Sequence, residues 1–483
     1  MNTTNELLGR ERWLVLGTCC LSLFIVSLDA SIVNVALPAI SHSLRAAVSG
    51  LQWTVDAYTL VIAVLLLLAG STADRFGRRR VFQLGLVLFT TGSLLCSLAP
   101  GLGWLVAFRM VQAVGGSMLN PVAMSIIVNT FREPGERSRA IGIWGGVLGA
   151  SLSLGPVLGG ALVSGVGWRS IFWINVPVGV VAIVATQVLV PESRAARARR
   201  VDPAAQVLVA CGLGALVYAI IEGPAAGWGS PLILSLFVVA AGTAVTLVRV
   251  ESRRQEPLID LRFFGSAPFA GAAVIAVAAF AALGGFRFLN TLYLQEVRGL
   301  SPLGSGLLTL PMALVTGLCA PLSGRLVAAR GSRLPLAVAG TAMTLGALLL
   351  VGITAATPVW RLIAAYVVLG AGFGLVNAPI STTAVSGMPR AQAGVASGIA
   401  STSRQVGISL GVAVTGSLVA VASRVGTPSS SPAAWLVLAG CGVAVLVLGL
   451  ASTSGWAVGT MNRTSRLLAQ EEADDERVLA GAV

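Results

Sequence analysis

The chain has 483 residues, of which 55% are hydrophobic and only 11% charged, against about 25% charged in soluble domains. Its net charge is +13, yet all 32 basic residues are arginine, and most fall in short links between long apolar runs. That pattern excludes a water-soluble enzyme or a nucleic-acid-binding domain and predicts an all-α polytopic membrane protein with the lipid bilayer as its main solvent.

A helix crossing about 30 Å of hydrocarbon needs roughly 20 residues. Fourteen apolar runs of that size follow one another: 13–37, 51–71, 82–99, 103–128, 140–163, 171–190, 204–222, 231–250, 269–293, 303–324, 334–353, 360–384, 394–421 and 433–456. The first is too long, and too polar near Asp29, for a cleaved signal peptide, so it reads as an uncleaved span. The six cysteines lie within apolar runs without metal-binding spacing, and the single histidine, His42, falls in a predicted external loop. No metal or cofactor is expected, and ordinary hydrolytic or redox chemistry has little to work with.

Orientation follows from arginine. Alternate links hold Arg75, Arg78, Arg79 and Arg80, then Arg132, Arg137 and Arg139, then Arg194, Arg197, Arg199 and Arg200, with others up to Arg390. With the two ends included, 24 arginines fall on one side and five on the other. Positive charge marks the cytoplasmic side, so both termini are expected there. Arg109, Arg287 and Arg404 lie within spans.

A repeat links the second span to the tenth. Gly70, Gly77 and Arg79 align with Gly324, Gly331 and Arg333, and Asn120-Pro121 in the fourth span aligns with Ala378-Pro379 in the twelfth. The organisation expected is an N-terminal six-helix half over 1–190, a linker with two inserted helices over 191–262, a C-terminal six-helix half over 263–456 and a cytoplasmic tail over 457–483. From Met461 the tail, with Glu471, Glu472, Asp474, Asp475 and Glu476, reads as a solvated end. Two related halves with a cavity between them is an architecture for alternating access.

The link after the second span reads Gly70-x-x-x-Asp74-Arg75-x-Gly77-Arg78-Arg79. A carboxylate and several guanidiniums on a glycine-turned loop can pair with each other and with helix ends, and such pairs can form in one conformation and break in another. The motif resembles the loop signature of the major facilitator superfamily, although Thr72 stands where that family usually has Leu. Leu28-Asp29-Ala-Ser-Ile-Val-Asn34-Val-Ala-Leu-Pro38, Trp53-Thr-Val-Asp56-Ala-Tyr58 and Trp168-Arg-Ser-Ile-Phe-Trp-Ile-Asn175-Val-Pro177 are similar to signatures of its fourteen-helix drug:proton antiporter subfamily. The resemblance implies a major facilitator fold with spans arranged six, two and six. It also implies a monomer in the bacterial plasma membrane, driven by the proton gradient.

Asp29 is the leading candidate for proton coupling, because a carboxylate inside a span is costly and functional by default; substrate contact and a structural hydrogen bond are the alternatives. If its water access or its distance from a guanidinium changes between conformations, it can take up and release a proton. Arg109, in a stretch resembling the family's fourth-span motif, is a fixed positive charge and the expected partner, directly or through Gln112. A purely structural Arg109 stays open. Asp56 is a second proton candidate, or a solvated residue at the external mouth.

Gly155-Pro156-x-x-Gly159-Gly160 resembles the fifth-span signature associated with antiporters. Small residues allow close helix contact and Pro permits a bend, which suits a hinge. Asn34, Tyr58, Gln112, Arg287, Tyr293 and Arg404 are candidates for a substrate cavity. Spans nine to fourteen carry no carboxylate apart from Glu296 at the edge of span nine, favouring neutral, zwitterionic or anionic substrates. The function expected is export of a drug or antibiotic in exchange for protons. An exporter of a metabolite, peptide or siderophore is the rival within transport, and a non-transporting membrane sensor the rival from another class.

Overall fold

In lipid no water satisfies backbone amides, so a chain of this composition must close its hydrogen bonds within helices. The computed structural model describes residues 9–194, 202–254, 260–389, 392–424 and 431–481. Among these residues there is helix and no strand. Arg197, Arg199, Arg200 and Arg390 of the basic links lie outside the described residues.

The helices are α1 (Gly9–Leu44), α2 (Val48–Phe76), α3 (Arg78–Leu98), α4 (Leu102–Thr130), α5 (Pro134–Gly165), α6 (Ser170–Trp173), α7 (Asn175–Leu189), α8 (Pro203–Ala226) and α9 (Pro231–Glu251). They continue with α10 (Ala267–Leu292), α11 (Pro302–Arg330), α12 (Arg333–Leu348), α13 (Val359–Val385), α14 (Ala393–Arg424), α15 (Pro432–Ser452) and α16 (Gly455–Gly481). A 3-10 turn at Leu261–Gly265 precedes α10, and a π turn at Tyr293–Val297 follows it. Thirteen segments are long and apolar enough to span a membrane, with Ser170–Leu189 counted as one. α12 is a shorter apolar helix in the place of the eleventh expected span, which is consistent with fourteen crossings.

The chain divides into two compact units. One holds residues 1–201 and 291–310, the other 202–290 and 311–483. In the first unit glycines bring α3 and α4 together: a Cβ on Gly92 would stand 2.6 Å from the Gln112 backbone, and one on Gly85 3.1 Å from the Gly115 carbonyl oxygen. Here contact comes from shape, because apolar side chains gain little by leaving lipid for another helix. In the second unit α12 and α15 approach in the same way, through Gly340 against Leu446 and Gly442 against Thr344. The inserted pair α8–α9 folds as a hairpin whose ends are tied by an Arg254–Asp202 ion pair, and α8 packs on α14.

Both repeated loops turn on a glycine with positive φ, Gly77 at 110° and Gly331 at 74°, a region that L side chains rarely adopt. Pro121 and Pro379, the other aligned pair, both sit inside helices.

Four sequence expectations change. His42 is not in a loop: α1 continues past Pro38 to Leu44, and His42 Nε2 lies 3.1 Å from Glu296 Oε1. Asp56 is fully buried on α2, not at a solvated mouth. The sixth span breaks at Ile174 into a one-turn helix and α7, so that Asn175 starts a helix. The start of the tail is not solvated: α16 buries Leu468 against Phe263, Phe269 and Ile399, while Thr460 Oγ1 accepts from the Ala267 amide at 2.9 Å; the side chains of Glu471, Glu472, Asp474, Asp475 and Glu476 lie outside those described.

Candidate functional site

α1 presents an unusual run of buried polar side chains for a membrane span: Ser22, Ser27, Asp29, Ser31 and Asn34. On α4, Arg109 and Gln112 are three residues apart and so share a face. That face meets Asp29. Arg109 Nη1 donates to Asp29 Oδ2 at 2.5 Å and to Gln112 Oε1 at 2.8 Å, while Gln112 Nε2 donates to Asp29 Oδ1 at 2.9 Å. A third donor comes from the start of α7, where Asn175 Nδ2 lies 3.0 Å from Asp29 Oδ1 and 3.0 Å from Ser93 Oγ of α3. Ser93 in turn donates to the Phe172 carbonyl at 3.0 Å.

The guanidinium is held on its other sides too. Arg109 Nε donates to the Thr54 carbonyl of α2 at 3.3 Å, and Cζ lies 4.1 Å from the centre of the Tyr58 ring and 5.8 Å from that of Phe172. The Asp29 side chain is 0% exposed and that of Arg109 2%. Burying two charges is costly, and only good geometry with further hydrogen bonds offsets it; three donors on the carboxylate and two aromatic faces at the guanidinium meet that condition. The cluster is electrically neutral as it stands. Arg does not release its proton, so Arg109 is the fixed charge of the pair and Asp29 is its counter-ion.

Asp29, Arg109, Gln112 and Tyr58, singled out from sequence, thus come together. Asn34 does not join them; its amide donates to the Ala30 carbonyl at 3.1 Å. Asp56 Oδ1 lies 3.4 Å from Thr59 Oγ1 on the same helix. Tyr293 is buried in the π turn of the first unit. Arg287 on α10 and Arg404 on α14 belong to the second unit and are half-buried.

At the α2–α3 loop, Arg78 binds Asp74 through Nη2 at 2.8 Å and Nε at 3.2 Å. Arg75 sits beside the Phe76 ring. Between Gly70, with nothing near its Cβ direction, and Arg79 the decisive contact comes from Glu192, which sequence reasoning missed. Its Oε1 accepts from the Arg79 amide at 3.1 Å, its Oε2 lies 3.7 Å from Arg80 Nε, and a Cβ on Gly77 would stand 2.6 Å from its carboxylate. A carboxylate there faces the N-terminus of α3 and its partial positive charge. The signal was a lone acid, Pro191-Glu192-Ser193, at the head of an arginine-rich link. Arg12 of α1 and Glu136 of α5 form a further ion pair at 3.0 Å.

Gly155 and Gly159 of α5 abut Ser31 and Ile32 of α1, and a Cβ on Gly160 would stand 2.5 Å from the Pro302 carbonyl oxygen. Pro156 lies inside an uninterrupted α5, with Gly306 against its carbonyl. Asn175 and Ser93 were also missed as site residues; the available signal was an amide standing just before Pro177 in an otherwise apolar sixth span.

A family model described as Major Facilitator Superfamily matches residues 19–412. The chain is 39% identical over 398 residues to the "Multidrug resistance protein Stp" of Mycobacterium tuberculosis, covering 82% of this chain and 74% of that protein. It is 38% identical to the "Tetracenomycin C resistance and export protein" of Streptomyces glaucescens (86% and 77% covered) and 34% identical to the "Puromycin resistance protein pur8" of Streptomyces alboniger (82% and 79%). Among solved structures, an auto-inhibited POT family peptide transporter superposes with a TM-score of 0.68 at 15% identity, covering 92% of this chain and 97% of that one. A bacterial homolog of the human lysosomal transporter Spinster does so with 0.60 at 18%, covering 96% and 98%. These two likenesses concern the fold.

Proposed function

The chain belongs to the Major Facilitator Superfamily of membrane transporters, and from that premise we propose that it exports drugs or antibiotics across the bacterial plasma membrane in exchange for protons. The names of the resistance and export proteins it resembles support the substrate class. The observation that carries the coupling is the buried Asp29–Arg109 pair, whose carboxylate is braced by Gln112 and Asn175. Protonation of Asp29 releases Arg109, and the freed charge favours a rearranged, rehydrated site. Deprotonation on the other side of the membrane restores the pair. Alternating access links that cycle to substrate movement, with the α2–α3 loop as a cytoplasmic latch and the glycines of α5 as a sliding contact on α1.

The protein is read as a monomer with both termini in the cytoplasm and no cofactor. The driving force suffices: about 1.4 kcal/mol per pH unit and about 2.3 kcal/mol per 100 mV for each charge moved let one proton sustain a gradient of tens to hundreds-fold. The test is Asp29→Asn in everted membrane vesicles, with tetracenomycin C, the compound named for the Streptomyces glaucescens relative, as substrate and an imposed pH gradient. Proton-driven efflux is expected to stop while substrate exchange without a gradient persists. Intact proton-driven efflux in that variant removes Asp29 from the coupling step.

A further inference from the structure

The second unit holds two guanidiniums within its spans, Arg287 and Arg404, with no carboxylate paired to either among the described residues. The sequences of α10 to α15 contain no Asp or Glu, and among the described residues no ion pair involves Arg287 or Arg404. This is the reverse of the first unit, where Arg109 is matched by Asp29 and closed off from solvent. An intramembrane charge without a counter-ion costs free energy, and such residues mark sites where a charged species passes or binds.

Arg404 is built into a site. Its Nη2 donates to Ser381 Oγ of α13 at 2.6 Å and its Nη1 to Ser401 Oγ, one turn back on α14, at 3.3 Å. The Phe280 ring of α10 lies 5.9 Å from Cζ. Two neutral hydroxyls and a ring face orient the guanidinium and leave its charge in place. Nε is buried and has no hydrogen-bond partner among the described residues, so one edge of the fork is unengaged. Ser381 is exposed, so the guanidinium borders a face that the described residues leave uncovered. Three helices thus hold a planar cation at the edge of accessible space, dry on one side, with donors to spare. Guanidinium forks of this kind match a carboxylate or another planar oxyanion.

We propose that Arg404, oriented by Ser381 and Ser401, binds an anionic oxygen group of the exported molecule: a carboxylate, phenolate, enolate or sulfonate carried on an aromatic frame. The proposal rests on the export reading and narrows it to substrates with an acidic oxygen. Arg404 lies near the C-terminal end of α13, the end that the arginine-rich links mark as cytoplasmic, where an exporter must collect its cargo.

The test uses the full chain in phosphatidylcholine nanodiscs, with fluorescence titration of two probes that share one aromatic frame. One is 8-anilinonaphthalene-1-sulfonate, an anion; the other is its uncharged counterpart, N-phenyl-1-naphthylamine. Empty discs supply the background. The wild type is expected to prefer the anion, and Arg404→Gln to weaken the anion by about tenfold or more, the effect of losing a charge-assisted hydrogen bond. The neutral probe should be unaffected, which also shows that the variant is folded. Arg404→Lys should restore part of the preference, and Ser381→Ala should reduce it. Equal affinity of the wild type for both probes overturns the proposal, as does an equal loss of both in Arg404→Gln. If phosphatidylglycerol in the disc displaces the sulfonate, Arg404 is a lipid headgroup site and the substrate assignment falls. Because binding needs no proton gradient, failure of Asp29-dependent efflux leaves this result standing.

Discussion

Replacing Asn175 with Ala removes one of the three donors that hold the Asp29 carboxylate. The amide sits 3.0 Å from Asp29 Oδ1 and 3.0 Å from Ser93 Oγ, with Asp29 fully buried. A hydrogen bond to a charged group is worth about 1.5–3 kcal/mol and one between neutral groups about 0.5–1.5 kcal/mol. Asn175→Ala should therefore destabilise the protein by about 2–4 kcal/mol when Asp29 is present. When Asp29 is already Asn, the charge assistance is gone and the same substitution should cost about 1–2 kcal/mol less. Asp29→Asn alone is itself costly, about 3–5 kcal/mol, since it strands Arg109, but that penalty cancels in the cycle. The assay is reversible chemical unfolding in micelles of the wild type, both single variants and the double variant. Additivity within about 0.5 kcal/mol would mean the residues do not interact, and the bracing of Asp29 by α7 would be refuted. Proton-driven efflux should slow in Asn175→Ala without stopping, because Arg109 and Gln112 still hold the carboxylate.

Two further outcomes follow from contacts elsewhere in the first unit. Gly92→Ala places a methyl 2.6 Å from the Gln112 backbone and should cost about 1–3 kcal/mol by overpacking, whereas Gly17→Ala, at an exposed position of α1 with nothing within 4 Å of the added methyl, should stabilise by up to about 1 kcal/mol. Equal unfolding midpoints for the two variants would contradict the close α3–α4 approach. Glu192→Ala strips the acceptor from the Arg79 amide at the start of α3; a loss of about 1–2 kcal/mol in local stability should raise hydrogen exchange at residues 78–80 by about 5–30-fold, and unchanged exchange would show that the loop stands without it.

The legible parts of the sequence were those where a mistake would be expensive. An apolar run of spanning length has few soluble alternatives, so the class and the number of crossings could be read directly. Asp29 and Arg109 drew attention because each breaks such a run with a charge, and a charge in hydrocarbon needs an account. Asn175 needed none: a neutral amide is cheap enough in a span to pass as a local helix bond, and its partner on α1 is 146 residues away. Glu192 was concealed for a different reason, since an acid among link arginines reads as solvated until the fold brings it to the start of α3. The docking of α16 depends on Phe263 and Phe269, some 200 residues earlier in the chain, and periodicity alone does not reveal such a meeting. His42 was misplaced because the apolar run ends at Leu37, whereas the helix runs on to Leu44.

The Asp29–Arg109 pair also has a history within each molecule. The partners are 80 residues apart, and a ribosome adding about 5–20 residues per second takes about 4–16 s to cover that stretch. Asn175 emerges later still. The first span therefore reaches the membrane carrying a carboxylate whose guanidinium has not yet been made. During that interval the carboxylate has no guanidinium from its own chain, and a charge in hydrocarbon without a partner is costly. Assembly of the fourth span beside the first is then an electrostatic event as well as a packing one, because it delivers Arg109 to Asp29.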